Sequence, residues 1–292
     1  MTDARGRRYA EGFPAERIED VPAASISANP ITALPAALKI MRGINEAKRR
    51  FTELPPNLVA GFGGYPSFPA LMAARAHKVP ILIHEQNSVL GRVNRSMATS
   101  AKIVACGFDR LDRLPEKAGS YKHVVGNPVR LPILAVRERP YPEAPAGGRL
   151  NILIIGGSQG ARLFGEVIPA AIAKLPDALR QRLDIVHQVR EEQVEAARAA
   201  YKAAKVNAEV APFFTDMGQR LGACHLVISR AGASSVTELQ VAGRPAILIP
   251  FAAAADDHQT ANAEGLTAVG AADLFTEAEF EPVALSNLLE RR

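Results

Sequence analysis

Leu150-Asn151-Ile152-Leu153-Ile154-Ile155-Gly156-Gly157-Ser158-Gln159-Gly160-Ala161 is a near-continuous apolar run that breaks into a glycine-rich turn. An apolar run of this kind fits a strand covered on both faces of a parallel sheet. Glycines lack a Cβ, so the backbone can approach a ligand closely, and the free N–H groups of a helix that starts there favour an anion. The pattern predicts a strand over 150–155, a turn, and a helix over 160–174. Ser158 can add a hydroxyl donor to a phosphate oxygen. The Walker lysine motif and G-x-G-x-x-G are both absent, since residue 155 is Ile, which argues against a P-loop NTPase or a dinucleotide enzyme. The same residues fit G-x-S-x-G, the nucleophile elbow of α/β-hydrolases. Such an enzyme needs an acid and a His on separate loops aimed at Ser158. The candidates Asp256-Asp257-His258 are adjacent and badly placed to act in series. A serine hydrolase using Ser158 stands as the rival enzyme reading.

Working outward, strand-like runs fall at 150–155, 184–188, 208–210, 225–229 and 246–250, with helical patterns near 160–174, 191–204, 216–223, 233–242 and 257–265. Upstream, strand-like runs at 57–62, 79–84, 102–106 and 122–125 alternate with helical patterns at about 31–51, 66–77 and 88–99. Alternation of this kind predicts α/β halves, each a doubly wound parallel sheet with ligands at the carboxyl ends of its strands. The stretch 131–149, with Pro132, Pro140, Pro142, Pro145 and Gly147-Gly148, reads as the connection between them. At 292 residues the chain has room for two cores.

Polar clusters sit where such strands end. Ser229-Arg230-Ala231-Gly232-Ala233-Ser234-Ser235-Val236-Thr237-Glu238 turns from a strand into a helix. Ser234 and Ser235 suit N-cap positions, and Glu238 could complement the helix dipole or accept two hydrogen bonds from a ribose diol. The loop Asp256-Asp257-His258-Gln259 could offer Gln259 to sugar hydroxyls. His258 has no second His at helical spacing, so no metal site is expected. In the first half, Gly61-Phe62-Gly63-Gly64-Tyr65-Pro66 and His84-Glu85-Gln86-Asn87 occupy equivalent strand ends.

Bulk properties narrow the partners. An apolar fraction of 48% with 22% charged residues describes a globular chain, neither disordered nor fibrous. The net charge of +5 points to an anionic partner without choosing among nucleotide, nucleic acid and membrane surface. The absence of Trp argues against base-stacking platforms, and no nucleic-acid partner is expected. Two distant cysteines, Cys106 and Cys224, suit a reducing compartment. The polar opening carries no leader-like apolar region, and the apolar run at 245–255 is too short and proline-broken to span a bilayer, so a soluble or peripheral protein is expected.

Taken in order, the blocks at 61–69, 84–87, 126–130 (Gly-Asn-Pro-Val-Arg), 156–161, 230–238 and 256–259 resemble the MurG family. The resemblance spans nearly the whole chain. It implies the GT-B fold, two Rossmann-like doubly wound parallel-sheet domains facing a cleft. Residues 1–132 would form the acceptor, membrane-side domain, 133–149 the linker, and 150–292 the UDP-GlcNAc-binding donor domain. The implied reaction moves GlcNAc from UDP-GlcNAc to the C4 hydroxyl of the muramoyl sugar of lipid I, with inversion, giving lipid II for peptidoglycan synthesis. No cofactor and no essential metal are implied. The implied place is peripheral, on the cytoplasmic face of the bacterial inner membrane.

By matching motif positions, Ser158 would meet the donor diphosphate and Glu238 the ribose. The Phe214 backbone would meet uracil, with Arg130 nearby in the donor site and Asn87 as another donor-site contact. Ala233, Ser234, Ser235, Val236, Thr237 and Glu238 would form the nucleotide loop, and Gln259 would hold the GlcNAc hydroxyls. His84 and Glu85 are the acceptor-side catalytic candidates, with Tyr65 and Asn94 in the cleft. The family's first glycine loop, Gly-Gly-Thr-Gly-Gly-His, has no counterpart here, and its His is a candidate base. Gly165 stands where the family often has Asn. Both halves are expected to be incomplete at the chain ends. A UDP-sugar-binding fragment without turnover is therefore a third reading.

The stretch 31–51 places Ile31, Leu34, Leu38, Met41 and Ile44 at helical spacing beside Lys39, Arg42, Lys48, Arg49 and Arg50. It is either an ordinary crossover helix with a solvated basic face or a surface for anionic lipid. The resemblance favours the lipid.

Overall fold

The computed structural model describes residues 13–25, 30–143, 146–157 and 161–292. The chain divides into two compact units, at Gly126/Asn127.

The first unit begins with a segment at 13–25 and helix α1 (Pro30–Glu53). Strand β1 (Val59–Gly61), helix α2 (Gly64–Ala76), β2 (Ile81–Glu85), the short α3 (Arg92–Met97), β3 (Ile103–Cys106) and β4 (Lys122–Val124) follow. The strands pair in parallel in the order β1-β2-β3-β4. Leu71, Ile81, Ile83, Leu90, Met97 and Val104 form the core.

Helix α1 runs where the apolar spacing predicts, but the large apolar residues are not its buried face. Leu34, Leu38 and Met41 are 68%, 46% and 53% exposed, whereas Gly43 and Ala47 are buried. Small residues are required there because the 13–25 segment crosses the helix at Gly43. A Cβ on Gly43 would overlap the Pro22 carbonyl. The helix expected over 88–99 forms only from Arg92, because residues 87–91 are drawn into the polar network described below.

The second unit carries α4 (Leu131–Leu134), β5 (Leu150–Ile155), α5 (Arg162–Lys174), α6 (Asp177–Arg180), β6 (Leu183–Gln188), α7 (Val194–Ala203), β7 (Asn207–Ala211) and α8 (Met217–Ala223). It continues through β8 (Leu226–Ser229), α9 (Ala233–Ala242), β9 (Ala246–Leu248), α10 (His258–Ala268), β10 (Ala272–Leu274) and α11 (Pro282–Arg291). The parallel sheet has the order β10-β9-β8-β5-β6-β7. From β5 the chain builds outward first through β6 and β7, then returns to lay β8, β9 and β10 on the other side. The switch point lies between β5 and β8, where such sheets bind ligands. Ile152, Ile154, Phe164, Ile168, Ile185, Val194 and Leu285 belong to the core beneath.

The stretch expected as a linker at 133–149 is packed onto this unit where it is described. A Cβ on Gly218 would overlap the Pro132 carbonyl. Tyr141 donates its hydroxyl to the His225 carbonyl at 2.7 Å, and the Arg244 guanidinium lies over the Tyr141 ring. Asn151 N–H donates to His225 Nδ1 at 2.9 Å, so His225 Nε2–H donates to the Glu143 carbonyl at 3.1 Å. The prolines stiffen a docked segment rather than loosen a tether.

Candidate functional site

The β5–β8 pairing sets Ile155 beside Ser229, so the turns after both strands emerge together. Helices α5 and α9 both start at this edge. Neither N-cap residue, Ala161 or Gly232, supplies a side-chain hydrogen bond to its helix. Both helix starts therefore present first-turn N–H groups to one cleft, the arrangement that favours an anion. Gly157 has φ +83°, a conformation that glycine adopts without strain. Ser158 lies outside the described residues.

The cleft has a volume of about 660 Å³ and is lined by Gly156, Gly157, Gly232, Ser234, Ser235, Phe251 and Gln259 together with Arg162, Arg190, Arg230, Glu166 and Glu277. Two of its arginines hold carboxylates closely. Arg162 Nε donates to Glu166 at 2.7 Å, and this contact raises the guanidinium's pKa further above its usual value. Arg230 Nη2 meets Glu277 at 2.5 Å, while its Nη1 donates to the carbonyls of Ile249 and Pro250 at 3.2 and 3.3 Å. The Arg230 guanidinium also lies near the rings of Phe164 and Phe251, 5.0 and 5.4 Å from their centroids. Gln259 Oε1 accepts from Phe251 N–H at 3.0 Å, which fixes the carboxamide at the start of α10. The two residues before that helix, Asp256 and Asp257, have φ of 58° and 52°, costly for non-glycine residues.

The segment 233–238 is helix from its first residue rather than a loop. Gly232 is the N-cap, and Ser234 and Ser235 stand inside the first turn, which corrects their expected capping role. Ala233, Val236 and Thr237 are buried. Only Ser234, Ser235 and Glu238 bring side chains to the surface. Thr237 donates its hydroxyl to the Ala233 carbonyl at 2.8 Å and accepts from Asn127 Nδ2 at 3.0 Å. Arg130 grips Glu238 in a fork, Nε to Oε1 at 3.0 Å and Nη2 to Oε2 at 3.1 Å. Two residues expected as separate contacts are thus one pair. Its arginine is largely exposed, so the pair contributes at most about 1 kcal/mol.

Phe214 is buried in the loop after β7, and Arg220 lies 4.1 Å over its ring. Glu209 and Asp216 hold that guanidinium, whose pKa rises further through the Glu209 hydrogen bond. The reciprocal bond from Arg220 lowers the Asp216 carboxyl below its ordinary range.

In the first unit the Glu85 carboxylate is buried and accepts four N–H donors. Oε1 takes Asn87 N–H and Nδ2, both at 3.1 Å, and Oε2 takes Gly91 N–H at 3.0 Å and Asn94 Nδ2 at 2.9 Å. Asn94 also donates to the His84 carbonyl, and a Cβ on Gly63 would sit 3.0 Å from its Nδ2. Gln86 Nε2 donates to His84 Nδ1 at 3.0 Å, so His84 Nε2–H donates to the Gly126 carbonyl at 3.0 Å. All the acceptor positions of Glu85, expected as a catalytic candidate, are engaged by these four donors. His84 has both ring nitrogens committed. Tyr65 is half-buried at the start of α2. Asn87, expected as a donor-site contact, lies in the first unit, where its backbone N–H and Nδ2 both meet Glu85.

Arg162, Arg190 and Glu277 line the cleft beside Arg230, and no motif in the sequence singles them out. Arg162 and Arg190 stand at the end of a strand-end turn or within two residues of a strand, which was the available signal. Glu277 lay beyond a strand too short to see. Among the described residues no group of three or more His, Cys, Asp or Glu could hold a metal ion.

Two parallel-sheet units, the second with a switch point at β5 and β8, have the architecture of GT-B-type glycosyltransferases, and the family matches place the chain in that class. Residues 14–106 match the glycosyltransferase family 28 N-terminal domain and residues 151–291 the family 28 C-terminal domain. The chain is 50% identical over 293 aligned positions to the UDP-N-acetylglucosamine--N-acetylmuramyl-(pentapeptide) pyrophosphoryl-undecaprenol N-acetylglucosamine transferase of Maricaulis maris, covering 100% of this chain and 80% of the relative. It is 49% identical over 281 positions to the Caulobacter vibrioides protein of the same name, covering 95% and 77%. The crystal structure of Acinetobacter baumannii MurG superimposes with a TM-score of 0.77 at 34% identity, covering 100% of this chain and 80% of that one. The chain belongs to the MurG family. Its relatives give the serine-hydrolase reading no support.

Proposed function

We propose that this protein transfers GlcNAc from UDP-GlcNAc to the C4 hydroxyl of the muramoyl sugar of lipid I, forming lipid II for peptidoglycan synthesis. The observation that carries this reading is identity of about half, along essentially the whole chain, to relatives whose names state that transfer. The cleft at the β5–β8 switch point is the donor site. Helix N-termini and guanidinium groups there neutralise the diphosphate as UDP departs, so no metal and no cofactor are needed for the leaving group. Ser158 meets the diphosphate and the Phe214 backbone the uracil. Glu238, aligned by Arg130, takes the ribose diol, and Gln259, held by Phe251 N–H, takes the sugar hydroxyls. Asn87, on the loop that Glu85 braces, adds a donor-site contact, and Tyr65 and Asn94 serve the acceptor side.

No helix among the described residues is long and apolar enough to cross a membrane. The exposed stripe Leu34, Leu38 and Met41, beside Lys39 and Arg42, supports peripheral contact with an anionic bilayer. We infer that the enzyme works on the cytoplasmic face of the inner membrane, where it would meet its lipid-linked acceptor. The decisive experiment follows radiolabelled GlcNAc from UDP-GlcNAc into a lipid I analogue. Glu238→Ala is expected to raise the KM for UDP-GlcNAc at least about tenfold, by removing a charged acceptor. Saturable donor binding without transfer would leave a binding fragment, and absence of donor binding would remove the site assignment.

A further inference from the structure

Three guanidinium groups line the donor cleft, and their situations differ. Arg162 is held by Glu166 and Arg230 by Glu277 and two carbonyls. Arg190 has only a loose approach to Glu192, Nη1 to Oε1 at 3.9 Å, beyond hydrogen-bond distance, and its side chain is 41% exposed. Among the described residues it is therefore the lining arginine whose N–H donors are uncommitted, and it lines the same space as the Gly156-Gly157 turn and Gly232.

The backbone that carries Arg190 is braced against the donor turn. It follows β6 directly, and the 3-10 turn Glu191–Gln193 comes next. Gln193 Nε2 donates to the Arg162 carbonyl at 3.0 Å, which ties this turn to the first residue of α5. Gln193 fits there because residue 165 is glycine, since a Cβ would sit 2.8 Å from its carboxamide atoms. A free cation is thus mounted on a segment fixed to the helix whose N-terminus opens on the cleft.

We propose that Arg190 is a ligand of the donor diphosphate, a charged contact in addition to the glycine turns. This rests on the reading of the cleft as the UDP-GlcNAc site. The three guanidinium groups and two carboxylates that line the cleft sum to one net positive charge, and Arg190 is the cation available without breaking a close ion pair. A guanidinium presents paired N–H donors suited to phosphate oxygens.

Isothermal titration of the intact protein with UDP-GlcNAc, UDP and uridine tests it, using wild type, Arg190→Ala and Arg190→Lys. The expected result is a roughly tenfold weaker affinity of Arg190→Ala for UDP and UDP-GlcNAc, with partial recovery in Arg190→Lys. Uridine affinity stays unchanged, because the nucleoside carries no phosphate. Unchanged UDP affinity in Arg190→Ala overturns the proposal while leaving the donor site in place. Equal weakening for uridine also overturns it, by making the effect one of folding or pocket shape. Absence of UDP binding by wild type refutes the donor-site reading itself. Arg190 is exposed, so melting curves of the variants should match wild type.

Discussion

His187 offers the sharpest test of the second unit's energetics. It stands in β6, fully buried, with Nδ1 2.9 Å from the hydroxyl of the equally buried Tyr201, and its Nε2 has no hydrogen-bond partner. Burial pushes its pKa down to about 3 from 6.5. Since the folded value lies below the unfolded one, the unfolded chain takes up the proton first as pH falls. The contribution is therefore complete above pH about 6.5 and is lost progressively from there toward pH about 3. At pH about 5 the deficit is about 1.5 pH units at about 1.4 kcal/mol each, or about 2 kcal/mol. That is a large part of a typical domain's stability of about 5–15 kcal/mol. His187→Asn keeps a carboxamide near the Tyr201 hydroxyl and removes the titration. Urea unfolding followed by far-UV circular dichroism at pH about 7.5 and about 5 should show wild type losing about 2 kcal/mol more than the variant between the two. The other histidines and the carboxylates act on both proteins and cancel in the difference. Parallel losses in wild type and variant would refute the account of a neutral, desolvated His187.

Glu85→Gln turns one acceptor oxygen into a donor facing N–H groups, and should lower first-unit stability by about 2–4 kcal/mol in denaturant melts. Acceptor KM should rise with it, while UDP affinity measured by calorimetry stays the same. Gly43→Ala drives a methyl into the Pro22 carbonyl, and limited proteolysis should then cut within 13–25 faster than in wild type. Replacing Leu34, Leu38 and Met41 together by Glu should abolish sedimentation with anionic vesicles and leave the melting temperature nearly unchanged, since these side chains are exposed.

The sheets were legible in the sequence because buried parallel strands read as apolar runs, and Leu150–Ile155 is the strongest of them. β10 was not, since Ala272-Asp273-Leu274 is three residues with a charge at its centre. Helix α1 shows why a pattern can give an element and still miss its face. Its apolar stripe is longer and bulkier than its buried one, but the crossing at Gly43 requires small side chains, and no spacing rule reports a crossing chain. The expected linker failed for a similar reason, as prolines mark irregular backbone without saying whether it is docked. Candidate residues could be picked from strand ends, but their partners could not. Arg130 and Glu238 are 108 positions apart, and only the fold reveals that one orients the other. The resemblance made Glu85 a catalytic candidate, and its engagement by four N–H groups depends on residues up to nine positions away, which no motif reports.

Glu166 and Glu277 give the arginine-lined cleft counterions of its own. An anion that engages Arg162 or Arg230 must compete with a carboxylate already in place, so at those two positions binding is a substitution and not an addition. Substitution works in both directions. When a spent anion has to leave, the same carboxylates can close over the vacated guanidinium groups, and the cleft need not wait for small ions from solution to compensate its charge. Two pairs that weaken capture would thereby favour release, a balance suited to the donor site proposed for this cleft.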